Sequence, residues 1–226
     1  MKDRKILLPL LATMLLLAGC AGGQVREEKT AQELAAEGTA QFEKEDYRYA
    51  IITFEKLKDW YPFSKLATLA ELKIADAYYH VNEYDAAILA YRDFESLHPR
   101  NEAIPYVLYQ IGRCWFERLD AIDRDQTYAR NALNAFLRLT RQFPEDPYSQ
   151  TAREHIDACL KSLAENEFYV GMFYYKGKHY KAALKRFESV ITDYPDVGVQ
   201  KKALQYIARC HKNIEENPER PRRNYK

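Results

Sequence analysis

The chain is poor in the residues that chemical sites are built from. Its 226 residues include four cysteines and five histidines, with no CxxC pair and no histidines at ligand spacing. Neither a zinc site nor a dithiol redox site is indicated. No HExxH, Ser/His/Asp order, glycine-rich phosphate loop or paired-carboxylate motif stands out, so the residues point away from catalysis. Acid pairs such as Glu43 and Asp46 fall on solvated helix ends. The 34 Lys and Arg nearly balance 33 Asp and Glu. That leaves no basic excess to neutralise a nucleic-acid backbone. An apolar run, Ile6 to Ala18, is too short to span a bilayer.

That run has a different use. Lys2, Arg4 and Lys5 precede it, as in a secretory signal. It ends in Leu17-Ala18-Gly19-Cys20, which resembles the bacterial lipobox. The resemblance implies cleavage after residue 19 and acylation of Cys20. The alternative is an ordinary signal with a chance cysteine at its end. Residue 21 is Ala rather than the Asp that retains enterobacterial lipoproteins at the inner membrane, so the resemblance favours the outer membrane. Residues 20–29 then form a lipidated tether. Removing residues 1–19 leaves 31 basic against 32 acidic residues.

The rest of the chain is organised by a repeated phrase. An alanine stands twelve residues before a proline, and an aromatic eight before it. The instances are Ala50/Phe54/Pro62, Ala87/Tyr91/Pro99, Ala132/Phe136/Pro144 and Ala183/Phe187/Pro195. Tyr61, His98, Phe143 and Tyr194 directly precede the prolines. Such a frame marks stacked helical hairpins, each burying its apolar face against its neighbours. Proline ends the second helix of each, because the residue before a proline is pushed out of the α region.

The helices are expected at about Thr30–Lys44, Tyr47–Trp60, Ser64–Val81, Tyr84–Leu97, from near Glu102, Gln126–Gln142, Tyr148–Tyr175, Tyr180–Asp193 and Val199–Asn213. The frame spacings are 37, 45 and 51 residues. The excess in the second falls in the loop Leu119 to Asp125. The excess in the third is accommodated by one long helix from about 148 to 175, with Cys159 in register with the third hairpin and Gly171 with the fourth. The tail from Asn217 is expected to be disordered.

Cys114, Cys159 and Cys210 each lie fifteen residues after a frame proline, and Ala77 holds the same place after Pro62. Small residues suit close helix contact there. Neighbouring helices sit farther apart than a disulfide spans, so three buried free thiols are expected. The 18 Tyr and 10 Phe could fill a core or line a surface. Of Tyr78, Tyr79, Tyr84, Tyr91, Tyr106 and Tyr109, most are expected in the core, with about a third facing a groove. An aromatic groove with a polar rim suits an extended apolar peptide.

Gly38, Ala50, Phe54 and Pro62 together resemble the tetratricopeptide repeat. That implies an all-α, right-handed α-solenoid of about 4.5 hairpins with a concave groove. Longer runs are more specific: Tyr61-Pro62-Phe63-Ser64, Leu97-His98-Pro99, Asp123-Arg124-Asp125 with Tyr128-Ala129-Arg130, and Leu163 through Val170 continuing to Arg186-Phe187 and Tyr194-Pro195. These resemble the BamD family, the tetratricopeptide lipoproteins of the outer-membrane β-barrel assembly (BAM) machinery.

The resemblance implies a non-catalytic scaffold, with no cofactor beyond the covalent lipid on Cys20, facing the periplasm from the inner leaflet of the outer membrane. The implied partners are the POTRA domains of BamA, unfolded outer-membrane barrel precursors and other BAM lipoproteins. It divides the chain into substrate-facing repeats at 30–144, BamA-facing repeats at 145–215 and a tail at 216–226. It places Arg186 at the BamA-facing end, and Tyr61 and Phe63 near a substrate pocket. For Arg186 the alternative is a solvated charge; for Tyr61 and Phe63 it is packing of the corner. The resemblance departs at the C-terminus, where relatives often carry a final helix pair and only its first helix is evident. The competing identity is another periplasmic repeat lipoprotein that coordinates the envelope or cell wall.

Overall fold

The structure is a computed structural model that describes residues 28–216. The signal segment, the lipobox with Cys20 and the tail from Asn217 lie outside the described residues. Among those described there are nine helices and no strand. They are α1 (Ala31–Glu43), α2 (Tyr47–Trp60), α3 (Lys65–His80), α4 (Tyr84–Leu97), α5 (Ile104–Phe116), α6 (Thr127–Gln142), α7 (Pro147–Lys176), α8 (Tyr180–Thr192) and α9 (Gln200–Glu216). Each packs mainly on its sequence neighbours, with further contacts of α1 with α3 and of α5 with α7. The fold is the tetratricopeptide-like solenoid that the frame predicts.

Local chemistry sets the helix ends. Thr30 caps α1 in a capping box with Glu33, satisfying amide groups that the first turn leaves orphaned. At the corners, Tyr61, His98 and Phe143 have φ of −130°, −128° and −133° with ψ of 54°, 53° and 62°, outside the α region that a following proline disfavours. At the opposite ends of the hairpins, Glu45, Asn82 and Lys178 have φ of 62°, 61° and 63°. All three lie seventeen residues before a frame proline. The third hairpin has its long loop at that point instead. The frame alanines Ala50, Ala87, Ala132 and Ala183 and the aromatics Phe54, Tyr91, Phe136 and Phe187 are all fully buried.

Most expected boundaries move by one or two residues, and the last by three. The last helix runs three residues past Asn213 and takes in Glu216, which the sequence reading assigned to the tail. Helix α6 begins at Thr127, since Gln126 has non-helical dihedrals (φ −97°, ψ 21°); its side chain turns inward and is only 4% exposed. The long helix is confirmed with 30 residues, about 45 Å at 1.5 Å per residue. Ala152 and Cys159 of α7 belong to the core of the middle hairpins, whereas its Ala164 belongs to the core built with α8 and α9. Cys114, Cys159 and Cys210 are free and buried, as is Ala77 at the equivalent position.

Candidate functional site

Three places on the solenoid carry the residues to which a function can be attached. The first is the face presented by α3, α5 and α7. Tyr79 of α3 donates its hydroxyl to Glu117 at 3.0 Å. Arg113 of α5 donates to the same carboxylate at 2.9 Å, and its guanidinium lies 4.8 Å from the Tyr79 ring centroid. Tyr109 shares a hydrogen bond of 3.2 Å with His155 of α7. The His155 ring in turn stacks on Phe136 at 5.1 Å, and Tyr148 packs against both Tyr106 and Tyr109.

The charges of this face are fixed by their surroundings. Burial works against the Glu117 carboxylate, but the bonds from Arg113 and Tyr79 outweigh it and hold its pKa below the usual range. Burial and the nearby Arg113 push His155 below the ordinary histidine value. Burial and the Glu117 bond push the Tyr79 phenol well up. Of the six tyrosines expected to form rows, Tyr91 is fully buried and the other five are half-buried. The face is therefore a packed aromatic surface with a charged rim, and fewer of its rings are fully buried than the sequence suggested. Beneath it, Asp76 is 7% exposed and accepts from Tyr91 and Tyr106 at 2.7 Å each.

The second place is the first proline corner. Tyr61 is half-buried against the first core cluster, and its hydroxyl donates to the Lys29 carbonyl at 2.8 Å. Phe63, two residues on, is 101% exposed. The two residues that the sequence grouped together thus do different things. Tyr61 holds the chain entering the solenoid, and Phe63 touches nothing that shields it from water. Trp60, which sequence reasoning passed over, is 51% exposed beside them. Its position just ahead of the corner was the available signal.

The third place is the junction of α7 and α8. Phe187 is fully buried with its ring on Gly171, which turns its neighbour Arg186 to the flank of α8. There Arg186 donates to both carboxylate oxygens of Glu167, at 3.1 and 3.0 Å. The Arg186 side chain keeps 44% of its exposure. An exposed pair of this kind adds little stability, about 0–1 kcal/mol. Burial raises the nearby Tyr194 phenol, and so does the charge of Glu167, while Arg130 opposes the rise.

The loop between α5 and α6 closes onto the same helix. Asn166 donates to the Ile122 carbonyl at 2.6 Å. Gln126 donates to the carbonyls of Ala121 and Arg124 and accepts from Ser162. Glu167, Asn166 and Gln126 all escaped sequence reasoning, although the first two lie in the run Leu163 to Val170. Among the described residues no group of three or more His, Cys, Asp and Glu is placed to hold a metal ion. No described helix is long and apolar enough to cross a membrane.

Comparison with known proteins gives the family. Residues 27–225 match the family described as "YfiO: Outer membrane lipoprotein". An outer membrane protein assembly factor BamD from Caulobacter vibrioides is 29% identical over 91% of this chain and 69% of its own length. A protein of the same description from Neisseria gonorrhoeae is 28% identical over 94% of this chain and 85% of its own. The corresponding Rickettsia prowazekii protein is 29% identical over 93% and 85%. Among solved structures, the tetratricopeptide protein TTC0263 of Thermus thermophilus covers 82% of this chain and 100% of its own at 15% identity, with a TM-score of 0.43.

Proposed function

Because this chain belongs to the YfiO family of outer membrane lipoproteins, we propose that it is a non-catalytic scaffold of the BAM machinery that helps assemble β-barrel proteins into the outer membrane. The observation that carries the reading is the family match across residues 27–225, with relatives named BamD aligned over nine-tenths of the chain. Acylation of Cys20 would hold the protein at the membrane, with the solenoid in the periplasm.

The scaffold has two working surfaces in this reading. The α7–α8 junction engages the POTRA domains of BamA through Arg186. An exposed guanidinium already oriented by Glu167 offers a forked donor to a carboxylate on the partner at little ordering cost. The aromatic face of α3, α5 and α7 receives unfolded barrel precursors. Its rings are rigid and partly exposed, and Arg113 and Glu117 supply a rim for main-chain or terminal groups.

The test is affinity for the periplasmic region of BamA. Arg186→Glu removes the donor fork and sets a repelling charge beside Glu167. It is expected to weaken binding by at least about tenfold while the circular dichroism spectrum stays unchanged. Equal affinity of the two proteins would remove Arg186 from the interface. Failure to recover BamA with the wild-type protein from mildly solubilised membranes would remove the reading itself.

A further inference from the structure

The proline corners lie at equivalent points of the repeat and can be compared residue by residue. Two positions before the proline stand Trp60, Leu97, Gln142 and Asp193. One position after it stand Phe63, Arg100, Glu145 and Asp196. Apolar side chains at these places are thus confined to the first two corners. They are not packed away: Trp60 is 51%, Phe63 101% and Leu97 66% exposed. Two exposed rings three residues apart on one corner, Trp60 and Phe63, call for an occupant.

The Tyr61–Lys29 bond indicates which one. It fixes the start of the solenoid at the first corner, so the segment that leads there from Cys20 ends beside Phe63. Lys29 stands nine positions after Cys20, a reach of at most roughly 30 Å. Lys56 lines a cavity of about 430 Å³ together with Trp60 and Lys29. Lys65 is exposed two residues beyond Phe63. Lys29 is itself paired with Glu37 at 2.6 Å; the exposed acids here are Asp59 and Glu28, the latter lining the same cavity. Indole and phenyl rings with nearby lysines suit the boundary between lipid headgroups and acyl chains.

We propose that the first corner is a second membrane contact, in which Phe63 and Trp60 enter the headgroup region of the phospholipid leaflet that carries the anchor. This rests on the reading of Cys20 as the acylated residue. The contact fixes the orientation of the solenoid at its N-terminal end, where an acyl anchor alone would leave it free to turn. A segment of an unfolded barrel precursor, the occupant that the family resemblance implies for the pocket near Phe63, is the competing outcome, and an aromatic-ended peptide is its probe.

The experiment uses the mature, acylated chain with Trp115→Phe, so that Trp60 is the sole indole. The protein is placed in phosphatidylethanolamine–phosphatidylglycerol vesicles with brominated acyl chains. Trp60 emission is expected to move to the blue and to be quenched, with both effects lost in Phe63→Glu and kept in Phe63→Leu. Phe63 is fully exposed, so neither variant should alter the helical spectrum. Unquenched Trp60 in the Phe63 protein overturns the proposal. So does loss of binding of an aromatic-ended peptide in Phe63→Glu without any lipid quenching, which would make the corner a peptide site. Mass spectrometry of the Cys20 peptide tests the anchor separately. If Cys20 is unmodified, the same quenching is read with the unacylated mature chain added to the vesicles, and its absence there overturns the corner contact.

Discussion

Phe136 lies so close over Gly112 that a Cβ on the glycine would stand 2.4 Å from its Cε1. The same contact recurs as Phe54 over Gly38 and Phe187 over Gly171. The second hairpin sets Ala75 and Tyr91 at these positions instead. Phe136 cannot retreat, because His155 stacks on it and Phe116 and Tyr109 close its other sides. Gly112→Ala should therefore destabilise the protein. Overpacking costs about 1–3 kcal/mol, while the better helix propensity of alanine returns at most about 1 kcal/mol. Thermal unfolding checks this, and a melting temperature equal to or above wild type would mean that the ring yields.

Asp76 ties three helices together by accepting from Tyr91 of α4 and Tyr106 of α5 on one oxygen, with Lys73 3.6 Å from the other. Removal of one donor from a buried carboxylate leaves a charge undersolvated. Tyr91→Phe is expected to cost about 1.5–3 kcal/mol in urea unfolding. The double variant Tyr91→Phe/Asp76→Ala should cost less than the sum of the singles. Strict additivity would show that the carboxylate and phenol act independently.

The buried thiols make the fold sensitive to alkali. Burial pushes Cys114 and Cys159 up to about 12, and Cys210 to about 11, from an ordinary 9.0. Above pH 9 the unfolded chain loses these protons and the folded chain keeps them. The unfolded state then binds fewer protons, and stability falls as pH rises. The loss should begin near pH 9 and continue through the folded values. It should diminish when the three cysteines are replaced by alanine. The thiols should also resist a thiol reagent at neutral pH in the folded protein, and three equivalents should react after denaturation of the acylated chain. One equivalent would mean a disulfide.

Periodicity made the helices, corners and cysteine row legible. Each depends on which face of a helix a residue occupies, and spacing reports that directly. The long helix was legible because fourteen extra residues make nearly four turns and return the same face. Pairings across helices were not legible. Arg186 meets Glu167 nineteen residues away only because α7 and α8 settle in the register set by Phe187 on Gly171. The clamp of Gln126 and Asn166 on the loop likewise depends on where α7 passes. Nor does spacing separate Tyr61 from Phe63. The proline turns one ring onto Lys29 and the other into water.

Helix α7 contributes Cys159 to one core and Ala164 to the next without a turn between them. In most repeat stacks each unit can fray or form with only its neighbours as witnesses. Here the third and fourth hairpins share a single uninterrupted rod. Melting of either one strips the support from half of α7 and exposes the other. The middle of this solenoid therefore unfolds as one cooperative block rather than hairpin by hairpin, and hydrogen-exchange protection should run level along α7 across residues 152–171.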